Sequence, residues 1–453
     1  MALSAFKSYD IRGTVGVNLD EKTYYHIGRA FAQVRKVEKV VLGRDVRDSS
    51  PMLQDALARG LNDAGVDVLD LGLCGTEEVY FATDHYNAGG GIMVTASHNP
   101  KGDNGAKIVI EGARPMSRAS GLSDIENLVE AGEFGPANAT KGTRTSVDCR
   151  ADYVARVLSF ADLSKVGAMK ILVNAGNGAA GPTFDAIADA LKGTSIEFVR
   201  VNHTPDETFP NGIPNPLLPE NQPMTALPVQ DHNCDLGVAW DGDFDRCFFF
   251  DENGGFIDGE YVVGLLAAAI LAEQDGGQVV HDPRIIWNTQ RVVSGAGGTP
   301  TVSRTGHALM KEVMRAKDAV YGGEMSAHHY FRDFMYCDSG MIPWVLIAAH
   351  MAATGLPLSA LVKDMQDRHP SSGEINFRLS DPDSAVAAIE AQFTQGAEID
   401  RLDGLSAAFP EWRFNLRRSN TEPVVRLNVE THANRSLLAE KTNALTAVLQ
   451  GFA

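Results

Sequence analysis

The 453 residues are too many for one ordinary domain and suit three or four. A net charge of -18, from 40 basic and 58 acidic residues, disfavours binding to nucleic acid or to an anionic membrane. The five cysteines form no Cys-x-x-Cys pair, which predicts buried, reduced thiols and excludes a zinc knuckle or a disulfide framework. The N-terminal sequence does not resemble a signal peptide, and the longest apolar run, Val262 to Ala272, is too short to span a bilayer. We therefore expect a soluble, cytoplasmic protein.

Strands and helices alternate along most of the chain, as in parallel α/β sheets. In chain order, the pattern predicts a strand at Lys39 to Leu42, a helix at Pro51 to Ala64, strands at Val66 to Leu71, Gly91 to Val94 and Lys170 to Val173, a helix at Pro182 to Leu191, and strands at Ile196 to Val201, Leu236 to Trp240, Val279 to His281, Ala319 to Tyr321 and Val424 to Glu430. We predict three similar mixed α/β domains (1–145, 146–250 and 251–368) and a smaller C-terminal α+β domain (369–453). Pro370 to Gly373 is the candidate hinge.

A serine loop follows the predicted strand at Gly91 to Val94. It reads Thr-Ala-Ser-His-Asn-Pro, with Ser97 and His98 at its centre. The strand ends of α/β sheets carry their chemistry, and Pro100 stiffens the loop. This pattern is typical of a serine nucleophile presented by a rigid loop, although an ordinary Ser/Asn turn remains the alternative. Lys107, just downstream, offers a positive charge for a phosphate.

An acidic segment, Asp-Gly-Asp-Phe-Asp-Arg, follows the strand at Leu236 to Trp240. Asp241, Asp243 and Asp245 alternate, so their carboxylates can converge on one hard cation such as Mg²⁺, and Arg246 adds a fixed positive charge. The spacing does not fit an EF-hand. A solvated acidic turn is the alternative.

Weaker signals lie elsewhere in the chain. Gly-Glu-Met-Ser-Ala-His places Glu324 and Ser326 where both can grip neighbouring hydroxyls, and the segment from Arg417 to Thr421 suits a phosphate cradle. Gly176-x-Gly178-x-x-Gly181 matches a dinucleotide fingerprint, but the next strand ends at Asn202 where an acidic residue is needed. These glycines are therefore interpreted as packing residues.

Together these motifs resemble the α-D-phosphohexomutase family, over the whole chain and in the family's order: Tyr-Asp-Ile-Arg-Gly, Thr-Ala-Ser-His-Asn-Pro, Asp-Gly-Asp-x-Asp-Arg, Gly-Glu-Met-Ser and Arg-x-Ser-Asn-Thr. The resemblance implies four domains around a central cleft. The Gly-Glu-Met-Ser-Ala-His segment, which contains Glu324 and Ser326, is similar to the sugar-binding loop of the phosphomannomutase/phosphoglucomutase branch. One departure is Arg284, where relatives often place lysine.

The resemblance also implies the roles of individual residues. The expected catalytic residues are Ser97, His98, Lys107, Arg246 and Arg12. The expected metal ligands for Mg²⁺ are Ser97, Asp241, Asp243 and Asp245. The expected substrate-binding residues are Tyr9, Arg284, His307, Glu324, Ser326, His328, Arg417, Ser419, Asn420, Thr421 and Arg426.

The activity implied is interconversion of mannose 6-phosphate and mannose 1-phosphate, through phosphorylated Ser97 and a hexose 1,6-bisphosphate that also serves as activator, in supply of GDP-mannose synthesis. Phosphoglucomutase or dual specificity is the close alternative; a sugar phosphatase and a non-catalytic sugar-phosphate sensor are more remote. The general base stays open between Lys107 and His98. The expected partner is a small hexose phosphate, without nucleic acid or membrane, and the expected state is a monomer or weak homodimer.

Overall fold

The computed structural model describes residues 4–274, 276–418 and 424–453. The chain divides into two compact units. The first comprises Met1–Phe256 and His328–Gly355, and the second comprises Ile257–Ala327 and Leu356–Ala453. No single helix among the described residues has the length and apolar character needed to cross a membrane.

The first unit begins with a seven-stranded sheet whose strands run in the order β1-β5-β4-β2-β3-β7, with β6 paired to β5. Its elements are β1 (Ile11–Thr14), α1 (Glu21–Arg35), β2 (Lys39–Arg44), α2 (Ser50–Asp63), β3 (Asp67–Leu73), α3 (Thr76–His85), β4 (Gly90–Val94), β5 (Asp103–Ile110), β6 (Arg114–Pro115), α4 (Leu122–Ala131) and β7 (Arg144–Ser146). Strands β2, β3 and β4 are parallel as predicted, whereas β1 and β5 run antiparallel to their neighbours. The sheet is therefore mixed, as predicted.

Local sequence explains why these elements start where they do. Asp20 caps α1 by accepting a 2.7 Å hydrogen bond from the backbone N–H of Thr23. Pro51 occupies the first turn of α2, where a missing N–H costs nothing. The short apolar run of β4 is buried at every position, and its end leads directly into the serine loop.

A second, five-stranded sheet in the order β12-β11-β10-β8-β9 follows. Its elements are α5 (Arg150–Leu158), β8 (Met169–Asn174), α6 (Ala180–Ala190), β9 (Ile196–Val201), α7 (Pro223–Asp231), β10 (Leu236–Trp240), β11 (Cys247–Phe250) and β12 (Phe256–Ile257). Strand β10 runs parallel to β8 and antiparallel to β11. The turn between β10 and β11 is the acidic segment, so the sheet presents all three aspartates at one strand end.

The next stretch contributes to both units. Its elements are α8 (Gly259–Ala272), β13 (Gln278–His281), α9 (Trp287–Gly295), β14 (Thr299–Val302), α10 (His307–Lys317), β15 (Tyr321–Gly323), β16 (His329–Phe331), β17 (Cys337–Asp338), α11 (Ile342–Thr354) and α12 (Leu358–Arg368). In the second unit, β13 lies parallel to β14 and β15. In the first unit, β16 and β17 form an antiparallel pair followed by the buried helix α11.

The chain ends with a five-stranded sheet in the order β18-β22-β21-β20-β19, all antiparallel. Its elements are β18 (Ile375–Phe377), α13 (Pro382–Phe393), β19 (Glu398–Asp400), β20 (Leu405–Ala408), β21 (Trp412–Arg418), β22 (Val425–Thr431) and α14 (Arg435–Gln450). Apolar residues from the strands and both helices, such as Phe414, Leu427 and Leu445, form a separate core. This matches the predicted small α+β domain.

Five cysteines, Cys74, Cys149, Cys234, Cys247 and Cys337, are buried and free, as the spacing predicts.

Candidate active site

The serine loop connects β4 to β5 and holds Ser97 in an unusual backbone conformation. Ser97 has φ of 52°, the left-handed region that residues other than glycine seldom adopt. Its side chain is 2% exposed, and its N–H donates to the Thr95 hydroxyl at 2.8 Å. Its hydroxyl donates to Asp241 Oδ2 at 2.6 Å and lies 3.0 Å from His98 Nδ1. The loop therefore fixes the predicted nucleophile against the first residue of the acidic segment.

Arg47, in the segment that follows β2, holds this loop in place. Its guanidinium donates to the backbone carbonyls of Ser97 at 2.9 Å, Asn99 at 2.6 Å, Pro100 at 2.8 Å and Asp103 at 3.0 Å. The side chain is 1% exposed. Arg47 was not among the predicted site residues, although its position shortly after a buried strand, two residues after Asp45, was a usable signal.

The acidic segment brings three buried carboxylates together. Asp241, Asp243 and Asp245 each offer an oxygen, and these oxygens lie within 4.8 Å of one another. The Oδ1 atom of each of the three is buried and has no hydrogen-bond partner in the described part of the chain. Buried carboxylate oxygens without a donor are costly unless a cation binds them. The donor set therefore fits one hard divalent cation.

Basic side chains balance this charge. Lys107, on β5, donates to Asp243 Oδ2 at 2.7 Å and contacts Asp245. Arg246 donates to Asp241 Oδ2 at 2.9 and 2.7 Å. Burial opposes the charge of Lys107, but the carboxylates of Asp243 and Asp245 outweigh it and raise the pKa of the ammonium. Lys107 thus stays protonated and contributes positive charge.

His98 has the opposite tendency. Burial, followed by the nearby Arg246 guanidinium, lowers the pKa of His98 to about 3. The ring is therefore neutral at physiological pH, with Nδ1 close to both the Ser97 hydroxyl and Arg246.

The Tyr-Asp-Ile-Arg segment reaches the same loop. Arg12 donates to Asp10 Oδ2 at 2.6 Å and to Asn99 Oδ1 at 2.7 Å. Tyr9 is half-buried just ahead of β1. Arg12 is thus placed beside the serine loop.

His328 also belongs to this cluster. Its Nδ1 lies 2.9 Å from Asp338 Oδ2 and 3.9 Å from Asp245 Oδ1. A carboxylate on one ring nitrogen orients an imidazole and raises its basicity at the other. Asp338, ten residues on along the chain and on β17, was missed because nothing in its local sequence marks it.

A second cluster lies in the second unit and contains the remaining described candidates. Arg284 is 1% exposed and donates to Asp282 Oδ2 at 3.1 and 2.6 Å and to Glu374 Oε2 at 2.9 Å. Its guanidinium lies 3.4 Å from the Ser326 hydroxyl and 3.8 Å from Glu324 Oε2. Glu324 and Ser326 thus both lie close to the guanidinium of Arg284.

The segment Thr305-Gly306-His307 contacts this cluster through a backbone hydrogen bond. The N–H of Gly306 donates to Glu324 Oε2 at 3.0 Å. His307, the first residue of α10, is half-buried at this point.

The phosphate-cradle prediction is only partly covered by the structure. Arg417, at the end of β21, and Arg426, on β22, face each other across the strand register. Both pair with Glu374, at 3.7 and 3.4 Å respectively. Ser419, Asn420 and Thr421 lie outside the described residues.

The glycine-rich match in the second sheet serves packing. A Cβ on Gly181 would lie 2.0 Å from the His203 carbonyl oxygen, and one on Gly178 would lie 2.8 Å from that of Gly242. Gly178 thus permits close approach of the loop that carries the metal-ligand candidates.

Comparison with known proteins identifies the family. Four models of the phosphoglucomutase/phosphomannomutase family match in order: α/β/α domain I over residues 3–136, domain II over 151–255, domain III over 258–369 and the C-terminal domain over 374–446.

Individual relatives agree with this result. A phosphomannomutase of Salmonella montevideo is 54% identical over 451 residues, 99% of both chains. A protein of Xanthomonas campestris named "Phosphohexose mutases" is 54% identical over 452 residues, 100% of both chains. An X-ray structure of a phosphoglucomutase/phosphomannomutase family protein from Burkholderia thailandensis superposes with a TM-score of 0.87 at 31% identity, covering 100% of this chain and 98% of that one. The chain therefore belongs to the phosphoglucomutase/phosphomannomutase family of α-D-phosphohexomutases and is an intramolecular phosphotransferase.

Proposed function

We propose that this enzyme is a Mg²⁺-dependent phosphomannomutase that interconverts mannose 6-phosphate and mannose 1-phosphate and supplies GDP-mannose synthesis. The names of the full-length relatives support the substrate. The observation that carries the chemistry is the Ser97 hydroxyl, held 2.6 Å from Asp241 Oδ2. Asp241 is one of three buried aspartates whose Oδ1 atoms have no hydrogen-bond partner in the described part of the chain.

The proposed reaction starts from enzyme phosphorylated on Ser97. Asp241, Asp243 and Asp245, with a phosphoserine oxygen, would hold Mg²⁺, which when bound offsets negative charge on the phosphoryl group. The free hydroxyl of the hexose phosphate attacks phosphorus and passes its proton to a base. The bond from phosphorus to Ser97 Oγ breaks, and Oγ takes up a proton from solvent. The products are unmodified Ser97 and a hexose 1,6-bisphosphate, which returns its other phosphate after reversing its orientation.

The protein contributes to catalysis chiefly by placing fixed positive charges around the transferred phosphoryl group and by positioning the serine loop. Phosphoryl transfer passes through a loose, charge-rich transition state, which Lys107, Arg246 and Arg12 stabilise without giving up protons. Arg47 fixes the loop, because four of its hydrogen bonds end on loop carbonyls.

The geometry favours a base other than the two open candidates. Lys107 is bound to two carboxylates and remains protonated. His98 lies against Arg246, which disfavours a second positive charge there. His328, oriented by Asp338 through Nδ1, is the better general base.

In the second unit, we assign Arg284, Glu324, Ser326 and His307 to the sugar and Arg417 and Arg426 to its phosphate. At position 284, relatives often have lysine, whose ammonium is a compact charge, whereas this chain has the planar guanidinium of arginine. This difference bears on the preference among hexoses. Phosphoglucomutase activity is the second candidate, favoured by the family description, which covers both reactions.

Phosphorylation of Ser97 tests the proposal. After incubation with glucose 1,6-bisphosphate and Mg²⁺, we expect intact-protein mass spectrometry to detect one added phosphate on the wild type and none on Ser97→Ala. Ser159→Ala, which removes an exposed hydroxyl on the same unit, is the control and should gain the phosphate. A phosphate that persists on Ser97→Ala would contradict a phosphoserine at this position.

A further inference from the structure

Glu374 lies among three arginines in the second unit. It precedes β18, and its side chain is 10% exposed. Its carboxylate accepts a hydrogen bond from Arg284 at 2.9 Å and pairs with Arg426 at 3.4 Å and Arg417 at 3.7 Å. One carboxylate therefore serves three guanidinium groups from separate segments of the chain.

The three arginines do not depend on Glu374 equally. Arg284 has a second carboxylate, Asp282, which accepts two hydrogen bonds from it. Arg417 is 4% exposed, and its Nε has no hydrogen-bond partner within the described residues. The guanidinium that sequence assigns to phosphate is thus buried and incompletely bonded, with Glu374 as its ion-pair partner.

The electrostatic balance at this cluster agrees with the geometry. Burial alone would raise the pKa of Glu374, but Arg284, Arg426 and Arg417 outweigh burial and lower it. Glu374 is therefore ionised at neutral pH. Burial and then the nearby Arg284 lower the pKa of Arg417, which reflects crowding of like charges.

We propose that Glu374 is a built-in competitor of the substrate phosphate: its carboxylate occupies the arginine cluster and weakens the binding of a phosphoryl group by the guanidinium groups. The inference deepens the proposed function and rests on the assignment of Arg417 to the substrate phosphate. Guanidinium groups bind carboxylates and phosphates through the same donors, so an incoming phosphate must share or displace Glu374.

A weakened grip suits the proposed reaction. The hexose 1,6-bisphosphate must release its phosphate from the cluster before it reverses and returns. Without the Glu374 carboxylate, the buried guanidinium of Arg417 would bind a doubly charged phosphate more tightly and release it more slowly. Glu374 is thus a positioning residue that trades affinity for turnover.

The test is direct binding of inorganic phosphate, which needs no turnover. Glu374→Gln keeps the size of the side chain and removes its charge, so we expect calorimetry to show about tenfold tighter phosphate binding than wild type. The gain should shrink at high salt. With hexose phosphate as substrate, KM and kcat should both fall in Glu374→Gln. If Glu374 only supported the local structure, its replacement would raise KM instead.

Three variants separate the explanations. Glu390→Gln removes an exposed carboxylate paired with Arg401 on the same domain and should bind phosphate as wild type does. Glu374→Asp keeps the charge and should stay within about threefold of wild type. In Glu374→Gln combined with Arg417→Ala the tenfold gain should disappear, because the gain arises at Arg417.

Unchanged or weaker phosphate binding by Glu374→Gln would overturn the inference, and so would equal tightening by Glu374→Asp. The proposed function fails separately: tighter phosphate binding in an enzyme that never forms a sugar 1-phosphate supports the role of Glu374 and contradicts the mutase.

Discussion

Arg47 illustrates how a residue outside the family motifs governs one inside them. Ser97 has a left-handed backbone, a conformation that costs on the order of 1–3 kcal/mol and persists only when its surroundings hold it. Four hydrogen bonds from one buried guanidinium to the loop carbonyls supply that hold. The serine is thus positioned by a residue of the segment that follows β2.

We therefore predict that Arg47→Lys lowers kcat by about 10²-fold with little change in KM. Lysine keeps the charge but cannot bond four carbonyls in a fixed plane, and a loop displaced by about 1 Å loses roughly that factor. Steady-state kinetics on hexose phosphate measure it. Arg59→Lys, an exposed arginine on α2, is the control and should behave as wild type does. A kcat within threefold of wild type in Arg47→Lys would show that the loop needs no such hold.

At this scale, the sequence predicted the residues that lie in compact motifs: Ser97, Lys107 and the three aspartates. It missed Asp338, which no local motif marks, and it missed Arg47 and Glu374, because each of these two acts on a partner distant in sequence. Arg47 and Ser97 are fifty positions apart, and Glu374 and Arg284 are ninety apart. Single-sequence reasoning has no means to detect such pairs.

Helices and strands followed the sequence pattern where hydrophobic spacing was regular. β9 spans Ile196–Val201 as predicted, and α2 spans Ser50–Asp63 against a predicted Pro51 to Ala64. The strand predicted at Ala319 to Tyr321 is displaced: β15 is Tyr321–Gly323, because Ala319 and Val320 complete the exit from α10. β5 was not predicted, since its first residues, Asp-Asn-Gly, resemble a turn.

Helix α3 carries a buried acid that connects it to the segment after β17. Glu77 is fully buried, accepts from the backbone N–H of Gly340 and contacts the Tyr153 hydroxyl. Burial raises the pKa of Glu77 to about 8, against the lowering effect of these donors. Between its unfolded pKa, near 4.5, and pH 8, folded protein retains a proton that unfolded protein has lost.

Stability conferred by Glu77 should therefore fall as pH rises through this window, by up to about 1.4 kcal/mol per pH unit. We predict that Glu77→Gln, which cannot ionise, flattens the pH dependence of folding stability. The difference between its urea midpoint and that of the wild type should therefore shift in favour of the variant as pH rises from 5.5 to 7.5. Exposed Glu197→Gln on the same unit should follow the wild-type curve. Parallel curves for wild type and Glu77→Gln would contradict a raised pKa at Glu77.

The whole molecule combines four family domains into two compact units. Residues His328–Gly355, which the third family model includes, belong to the first unit. Composition and turn signals suggested the four domains, but no sequence signal marked this division, because it depends on packing between distant segments. The predicted domain boundaries and the hinge at Pro370 to Gly373 remain predictions.

Within the second unit, a buried ion pair of the C-terminal family domain forms hydrogen bonds with the preceding family domain. Arg413 and Glu430 lie 2.6 Å apart on β21 and β22. Glu430 also accepts the backbone N–H groups of Ile286 and Trp287 at the start of α9, and Arg413 donates to the carbonyls of Pro283 and Arg284. The C-terminal sheet thus positions the segment that carries Arg284.

The most direct test of the account is ³¹P NMR of mannose 6-phosphate with the enzyme, Mg²⁺ and a trace of hexose 1,6-bisphosphate, with glucose 6-phosphate run in parallel. We predict a sugar 1-phosphate signal that grows faster from mannose than from glucose and is absent with Ser97→Ala. Faster growth from glucose would assign the enzyme as a phosphoglucomutase. Inorganic phosphate as the sole product would contradict the mutase and make Ser97 the nucleophile of a phosphatase.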